Sequence, residues 1–243
     1  MNGLSVVMPA FNEAEKISDS IRKSLRIFES FRLPFELIVV NDGSRDRTSG
    51  IVRDFSRRDS RVRLVTYRKN QGKGHALKYA SSFARMSLVT FVDADLELNP
   101  SQLVNFINIM NSSGADVVVG SKRHPESKLV YPWHRKLLSD AYFLFNRVLF
   151  GLPVKDTQSG LKLFKKRVVD DVFPRIVVKG YAFDLEVLAV AHKFGYKIVE
   201  APIVLNFSRF KSRVGLRAIR SMFIDTLGIL YRFYLLRYYD RKL

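Results

Sequence analysis

The chain contains no cysteine. That excludes a disulfide framework and thiolate metal sites, yet it leaves the compartment open, because a reducing cytosol permits cysteine without requiring it. Histidine is scarce too. His75, His124, His134 and His192 are scattered without metal-ligand spacing, so no imidazole chemistry is expected. No uninterrupted apolar run reaches the ~18 residues that suggest a membrane-spanning helix. The apolar segment near the start, Leu4 to Met8, is too short for the core of a secretion signal. Negative charge is in deficit: 23 Asp and Glu face 41 Lys and Arg, a formal net charge of +18. Such an excess favours a polyanionic partner, whether nucleic acid, an anionic membrane surface or a phosphorylated ligand. The excess is uneven, with nine basic residues and only Asp225 and Asp240 between Phe207 and Leu243.

What is present suffices for a full core: 243 residues, 47% of them hydrophobic. The first half alternates strand and helix signals. Buried strands are predicted at Ser5–Met8, Phe35–Val40, Val62–Val65, Leu88–Val92 and Asp116–Val119. Between them, Ile17, Ile21, Leu25 and Phe28 recur at helical spacing, as do Ile51, Val52 and Phe55, and then Ala76, Ala80 and Phe83. Asn99-Pro100 supplies an N-cap and a first-turn proline for a helix carrying Leu103, Phe106, Ile107 and Met110. Apolar strands alternating with amphipathic helices predict an α/β fold with a mainly parallel sheet flanked by helices. The second half is less regular. It offers an aromatic-rich run from Tyr142 to Leu149, a short strand at Leu161–Phe164, a helix at Phe183–Ala191, and a strand at Ile198–Val204 broken by Pro202. A long helix is expected from Gly215 to Tyr239. We therefore expect a catalytic domain over 1–206 and a basic amphipathic helical segment over 207–243.

Four of the first five strands end in polar signatures: Pro9-Ala10-Phe11-Asn12-Glu13, Asn41-Asp42-Gly43-Ser44, Asn70-Gln71-Gly72-Lys73-Gly74 and Asp93-Ala94-Asp95. Singly, each reads as a turn or a flexible loop. Together they fall where parallel α/β sheets bind ligands, beyond the carboxyl ends of the strands. Asp93 and Asp95, with Glu97 two residues on, repel one another unless a cation sits among them. Hard divalent ions take carboxylate and phosphate oxygens, so Mg²⁺ or Mn²⁺ bridging a diphosphate is the natural occupant.

These stretches, in this order, resemble the family 2 glycosyltransferases of GT-A fold, and within them the dolichyl-phosphate (polyprenyl-phosphate) sugar synthases. The resemblance continues through Gly120-Ser121-Lys122-Arg123, Asp156-Thr157-Gln158-Ser159-Gly160-Leu161-Lys162-Leu163-Phe164 and Ala182-Phe183-Asp184-Leu185-Glu186, covering nearly the whole chain. The second of these is most like the dolichyl-phosphate glucose synthases. It implies that Pro9, Phe11, Glu13, Val40 and Asp42 hold a nucleoside under the Gly72-Lys73-Gly74 loop. Asp93 and Ala94 contact the donor sugar nucleotide, and Asp95 and Glu97 hold the metal. Arg123 and Arg135 sit near the phosphates, with Ser139 on the acceptor side. Arg209 and Arg213 belong to a phosphate loop that here reads Lys211-Ser212-Arg213, without the family's glycine. Glu97 stands where many mannose synthases have Gln, which makes this metal site more anionic.

The activity implied is inverting transfer of a hexose from UDP-glucose or GDP-mannose to dolichyl or polyprenyl phosphate. The chemistry fits: a lipid phosphate is already anionic near pH 7 and needs no base, whereas two polyanions need arginines between them. A hydroxyl acceptor would instead need a carboxylate base, for which Asp156 and Asp184 are the candidates. A nucleic-acid-binding module is the competing class. It lacks any recognised motif here, and the Asp-x-Asp strand end would repel phosphate without a metal. The tail stripe of Met222, Phe223, Leu227, Leu230, Phe233 and Tyr234 fits either a core helix or an interfacial one. A peripheral position on the cytoplasmic face of a membrane is expected.

Overall fold

The computed structural model describes residues 2–129, 133–205 and 216–241, with side chains for all of these except 129, 133–141 and 216–219. In chain order the elements are β1 (Leu4–Ala10), α1 (Ile17–Glu29), β2 (Phe35–Asp42), α2 (Thr48–Arg58), β3 (Val62–Tyr67), α3 (Lys73–Ser81), β4 (Leu88–Phe91), α4 (Leu103–Ser113), β5 (Val117–Ser121) and β6 (Lys128–Leu129). They continue with α5 (Trp133–Phe150), β7 (Lys162–Lys165), α6 (Lys166–Val172), α7 (Phe183–Lys193), β8 (Ile198–Pro202), β9 (Val204–Leu205) and α8 (Leu216–Leu230).

Seven strands form one sheet in the order β3-β2-β1-β4-β7-β5-β8. All neighbours are parallel except β7, which runs antiparallel between β4 and β5. The expected mainly parallel sheet is therefore present, and β7 adds what the sequence pattern did not specify, a reversed strand between β4 and β5. Alternate residues of each strand feed opposite layers. Leu37, Val39 and Val118 join α1, α2 and α4 through Ile21, Val52 and Phe106, while Ile38, Val40, Val117 and Val119 join α3, α6 and α7 through Ala76, Val169 and Val187. Strands covered on both faces have no room for polar alternation, which is why they read as continuous apolar runs.

The helix entry at Asn99 forms as expected. Its side chain accepts a hydrogen bond from the Ser101 amide at 3.0 Å, and Pro100 opens a 3₁₀ turn that leads into α4. Gly114, at φ 68°, ends that helix in the left-handed conformation.

The tail departs from expectation. The α-helix stops at Leu230, widens into a π turn over Tyr231–Leu235, and closes with Arg237 at φ 45° before a 3₁₀ turn at Tyr238–Asp240. The reason is a buried polar anchor. Tyr239 is 1% exposed, and its hydroxyl donates to the wholly buried Glu186 of α7 while accepting from Arg232 Nε at 3.1 Å. A straight helix would carry Tyr239 away from that carboxylate. Ile229 and Tyr239 thereby join the core shared with α3, α6 and α7.

Candidate active site

The first three strands step outward from β1 in one direction, and β4 lies on its other side. The sheet's switch point is therefore the β1/β4 boundary, where open α/β sheets form their ligand crevice. The loops after β1 and β4 meet there. Because β7 is antiparallel, its preceding loop, Asp156 to Gly160, arrives at the same end of the sheet.

The loops after β1 and β2 are laced together. The Asn12 amide donates to Ser44 Oγ at 2.9 Å, and the Arg45 amide donates to Asn12 Oδ1 at 2.9 Å. The Glu13 amide donates to Thr48 Oγ1 at 2.9 Å. Asn12 sits at φ 53°, which Asn tolerates better than most side chains. Asp46 remains below the ordinary carboxylate pKa: burial opposes this, but the Thr48 hydroxyl and the amides of Thr48 and Ala14 hold the charged form. This lacing leaves Phe11 45% exposed at the lip of the crevice.

Asp42 is the anchor of the third loop. Its Oδ1 accepts from the Tyr67 hydroxyl at 2.8 Å and the Gln71 amide at 2.8 Å. Its Oδ2 accepts from Asn70 Nδ2 at 2.9 Å and the Gly72 amide at 3.0 Å. Tyr67 is held protonated by burial and then by this carboxylate, both of which raise its pKa. Gly43 permits the close approach, since a Cβ there would lie 2.5 Å from the Asn70 amide nitrogen. Gly72, at φ 94°, then starts α3 at Lys73.

Lys73 Nζ lies 2.5 Å from Asp93 Oδ1. Burial opposes the lysine charge, but Asp93, Asp184 and Asp95 more than offset it and its pKa rises. Gly160 passes beside the same aspartate, with a would-be Cβ only 3.1 Å from Asp93 Oδ2. Asp95 and Glu97 are exposed, and one Asp95 oxygen accepts the Glu97 amide at 3.1 Å. Among the described residues no group of three or more His, Cys, Asp or Glu forms a closed metal cage. Asp95 and Glu97 offer exposed carboxylate oxygens, the ligand type that hard divalent ions take.

The two candidate bases are both committed. Asp156, 8% exposed, accepts the amides of Lys122 at 3.1 Å and Gln158 at 3.0 Å. Asp184 Oδ1 lies 2.8 Å from the buried Lys162 Nζ, which also donates to the Ser159 carbonyl. Arg123 packs over the Phe143 ring at 5.1 Å, and Arg147, which the sequence reading did not single out, approaches the same ring at 5.9 Å.

The expected residues thus divide. Pro9, Phe11, Glu13, Asp42, Lys73, Asp93, Ala94, Asp95 and Glu97 all stand at the carboxyl ends of the strands. The Val40 side chain is 0% exposed inside the core, which leaves only its backbone for a nucleoside. Ala94 is 5% exposed, and its carbonyl is taken by the Ser20 hydroxyl. The side chains of Arg135 and Ser139 lie outside the described residues, as do Arg209, Lys211, Ser212 and Arg213. Lys162 and Gly160 were legible only as parts of a motif. Their packing against Asp184 and Asp93 needed the reversed β7.

An Asp-x-Asp strand end at the switch point, paired with a glycine-framed lysine, is the arrangement expected of a GT-A glycosyltransferase. Residues 5–173 match glycosyl transferase family 2, and the chain belongs to that family. It is 30% identical to a dolichyl-phosphate beta-glucosyltransferase of Trichomonas vaginalis over 98% of this chain and 77% of that protein. It is 29% identical to the dolichyl-phosphate beta-glucosyltransferase of Dictyostelium discoideum over 82% of this chain, and spans 65% of that relative's length. Among solved structures, mannosyl-3-phosphoglycerate synthase from Rubrobacter xylanophilus superposes with a TM-score of 0.68 at 19% identity, covering 100% of this chain and 77% of that one. Glucosyl-3-phosphoglycerate synthase from Mycobacterium tuberculosis, crystallised with Mn²⁺, UDP and phosphoglyceric acid, gives 0.67 at 20% identity over 95% of this chain and 78% of that one. These two likenesses establish the fold.

Proposed function

We propose that the chain transfers a hexose, with inversion, from a nucleotide sugar to the phosphate of a dolichyl or polyprenyl lipid at a membrane surface. The observation that carries this reading is the commitment of both candidate bases. Asp156 already accepts two backbone amides and Asp184 already pairs with Lys162, whereas a base needs an oxygen turned to the acceptor hydroxyl. A phosphate monoester oxygen needs no such help. It attacks the anomeric carbon, the bond to the diphosphate breaks, and the electron pair leaves with the diphosphate oxygen.

In this reading Phe11 and Glu13 border the nucleoside, and the Asp42-anchored loop sets Lys73 over the diphosphate. The ion pair of Lys73 with Asp93 keeps that ammonium charged and in place until the donor arrives. Asp95 and Glu97 hold Mg²⁺ or Mn²⁺, which supplies positive charge to the leaving diphosphate. Arg123, set over Phe143, meets the acceptor phosphate, and the family resemblance gives Arg135, Arg209 and Arg213 the same role. Glucose is the first donor sugar to test, since the two similar sequences named above, from Trichomonas vaginalis and Dictyostelium discoideum, are dolichyl-phosphate beta-glucosyltransferases.

The membrane part of the reading rests on one surface. Leu144 and Val148 of α5, Phe223, Ile224 and Leu227 of α8, and Tyr231, Tyr234 and Leu235 beyond it are all exposed. Phe145 stacks on Phe223 at 5.8 Å, which places the two helices side by side. Among the described residues no helix is long and apolar enough to cross a membrane, so this face suits peripheral seating on the bilayer, on its cytoplasmic side. The test is transfer from UDP-glucose and GDP-mannose to a polyprenyl phosphate and to its free alcohol, with Mn²⁺ and with excess EDTA. Transfer to the phosphate alone, abolished by EDTA, is expected. Equal use of the alcohol refutes the mechanism without a base, and undiminished activity in EDTA refutes the metal.

A further inference from the structure

Glu186 of α7 is wholly buried, and the mechanism above gives it no part. Its two carboxylate oxygens face different segments. Oε2 accepts the backbone amides of Val177 at 3.0 Å and Val178 at 2.7 Å. Oε1 accepts from Arg232 Nη2 at 3.1 Å and from the Tyr239 hydroxyl, both in the C-terminal segment. The residue after Val178 is Lys179, whose carbonyl accepts the Gly74 amide at 2.9 Å and whose ammonium reaches Gln71 Oε1 at 3.3 Å. A Cβ on Gly74 would lie 2.9 Å from that carbonyl and 2.8 Å from Phe183 Cβ. The 177–183 segment and the Gly72-Lys73-Gly74 loop are therefore in direct contact, and Lys73 in turn pairs with Asp93.

A carboxylate this buried has no water to fall back on. If Arg232 or Tyr239 withdraws, Oε1 must find another partner, and the two amides on the other oxygen feel the change. We propose that Glu186 is a positioning residue that couples the seat of the C-terminal segment to Lys73, and so to the affinity for the donor diphosphate. Arg232 lies within the stretch whose Tyr231, Tyr234 and Leu235 are exposed. What that surface rests on thus bears on the nucleotide side of the reaction. The inference rests on the functional reading above, in which Lys73 meets a nucleoside diphosphate.

A double-mutant cycle tests it. UDP and GDP, each with Mn²⁺, are titrated calorimetrically into the wild type, Arg232→Gln, Tyr239→Phe, Lys73→Met and the two pairwise combinations with Lys73→Met. Tyr239→Phe keeps the ring and its packing, so a variant that folds is available even if Arg232→Gln is unstable. Asp116→Asn serves as the control for lost stability alone. Asp116 pairs with Lys165 and Arg167 at the opposite end of the sheet. We expect Arg232→Gln to weaken binding of the nucleotide that the wild type takes by roughly fivefold when Lys73 is present, and by less than about twofold in the Lys73→Met background. Asp116→Asn lowers Tm with an unchanged Kd. An additive cycle, or an equal loss of affinity in Asp116→Asn, overturns the coupling while the functional reading stands. If the wild type binds neither nucleotide, the functional reading falls and this inference falls with it.

Discussion

Replacing Asp42 by Asn exchanges one carboxylate oxygen for an amide nitrogen among four donors. If the nitrogen takes the Oδ2 position, it faces the Gly72 amide and Asn70 Nδ2. The latter cannot simply flip, because it also donates to the Asp42 carbonyl at 3.1 Å. If it takes the Oδ1 position, Tyr67 can rotate its hydroxyl and accept, which leaves only the Gln71 amide orphaned. The second arrangement costs less. One buried amide without a partner costs about 1–3 kcal/mol, and the remaining bonds lose their charge assistance, so a total near 3 kcal/mol is expected. For a chain of this length that lowers Tm by roughly 6–12 °C. Hydrogen exchange should accelerate at Gln71 and Gly72 before other amides of the sheet edge, and nucleotide affinity should fall because Lys73 loses its placement. An unchanged Tm with slow exchange at both amides refutes the anchoring role. If affinity alone falls, Asp42 meets the nucleoside directly instead.

The α5/α8 face should bind anionic vesicles and release in high salt, since each Lys or Arg near the surface adds about 1 kcal/mol. The paired change Leu144→Asp and Leu235→Asp should weaken flotation while leaving Tm unaltered, because both side chains are exposed; flotation that survives it places the contact elsewhere. At alkaline pH the chain should lose stability with a contribution from Tyr196, whose pKa is pushed up to about 12 first by burial and then by its hydrogen bond to Asp171. A raised folded pKa stabilises fully below the unfolded value near 10, and that stabilisation is lost as pH climbs from 10 towards 12. Tyr196→Phe should therefore show a shallower fall of Tm from pH 9 to 12 than the wild type, and parallel curves would refute the assignment.

The local signals were strong where chemistry is local. Asn99-Pro100 opens a helix because a side-chain oxygen and a fixed φ act on their own neighbours. The apolar runs become strands because a sheet covered on both faces leaves them no polar positions. The polar strand ends announced a site because parallel strands all deliver their carboxyl ends to one side of the sheet. Val40 shows the limit of that reasoning: it precedes the site by two residues, yet its side chain points into the core layer beneath.

What only the tertiary structure decided depends on contacts between residues far apart in the chain. The direction of β7 was not legible in Leu161 to Phe164, since a four-residue apolar strand pairs equally well either way. That direction brings Gly160 against Asp93 and Lys162 against Asp184. The contacts of Asp156 with Lys122 and of Asp184 with Lys162 likewise join residues 34 and 22 apart in the chain. In the tail, helical periodicity ran unbroken past Leu230 and predicted a helix to Tyr239. The structure instead ends the α-helix at Leu230 and turns Arg232 and Tyr239 onto Oε1 of the buried Glu186 on α7, a contact no local pattern specifies.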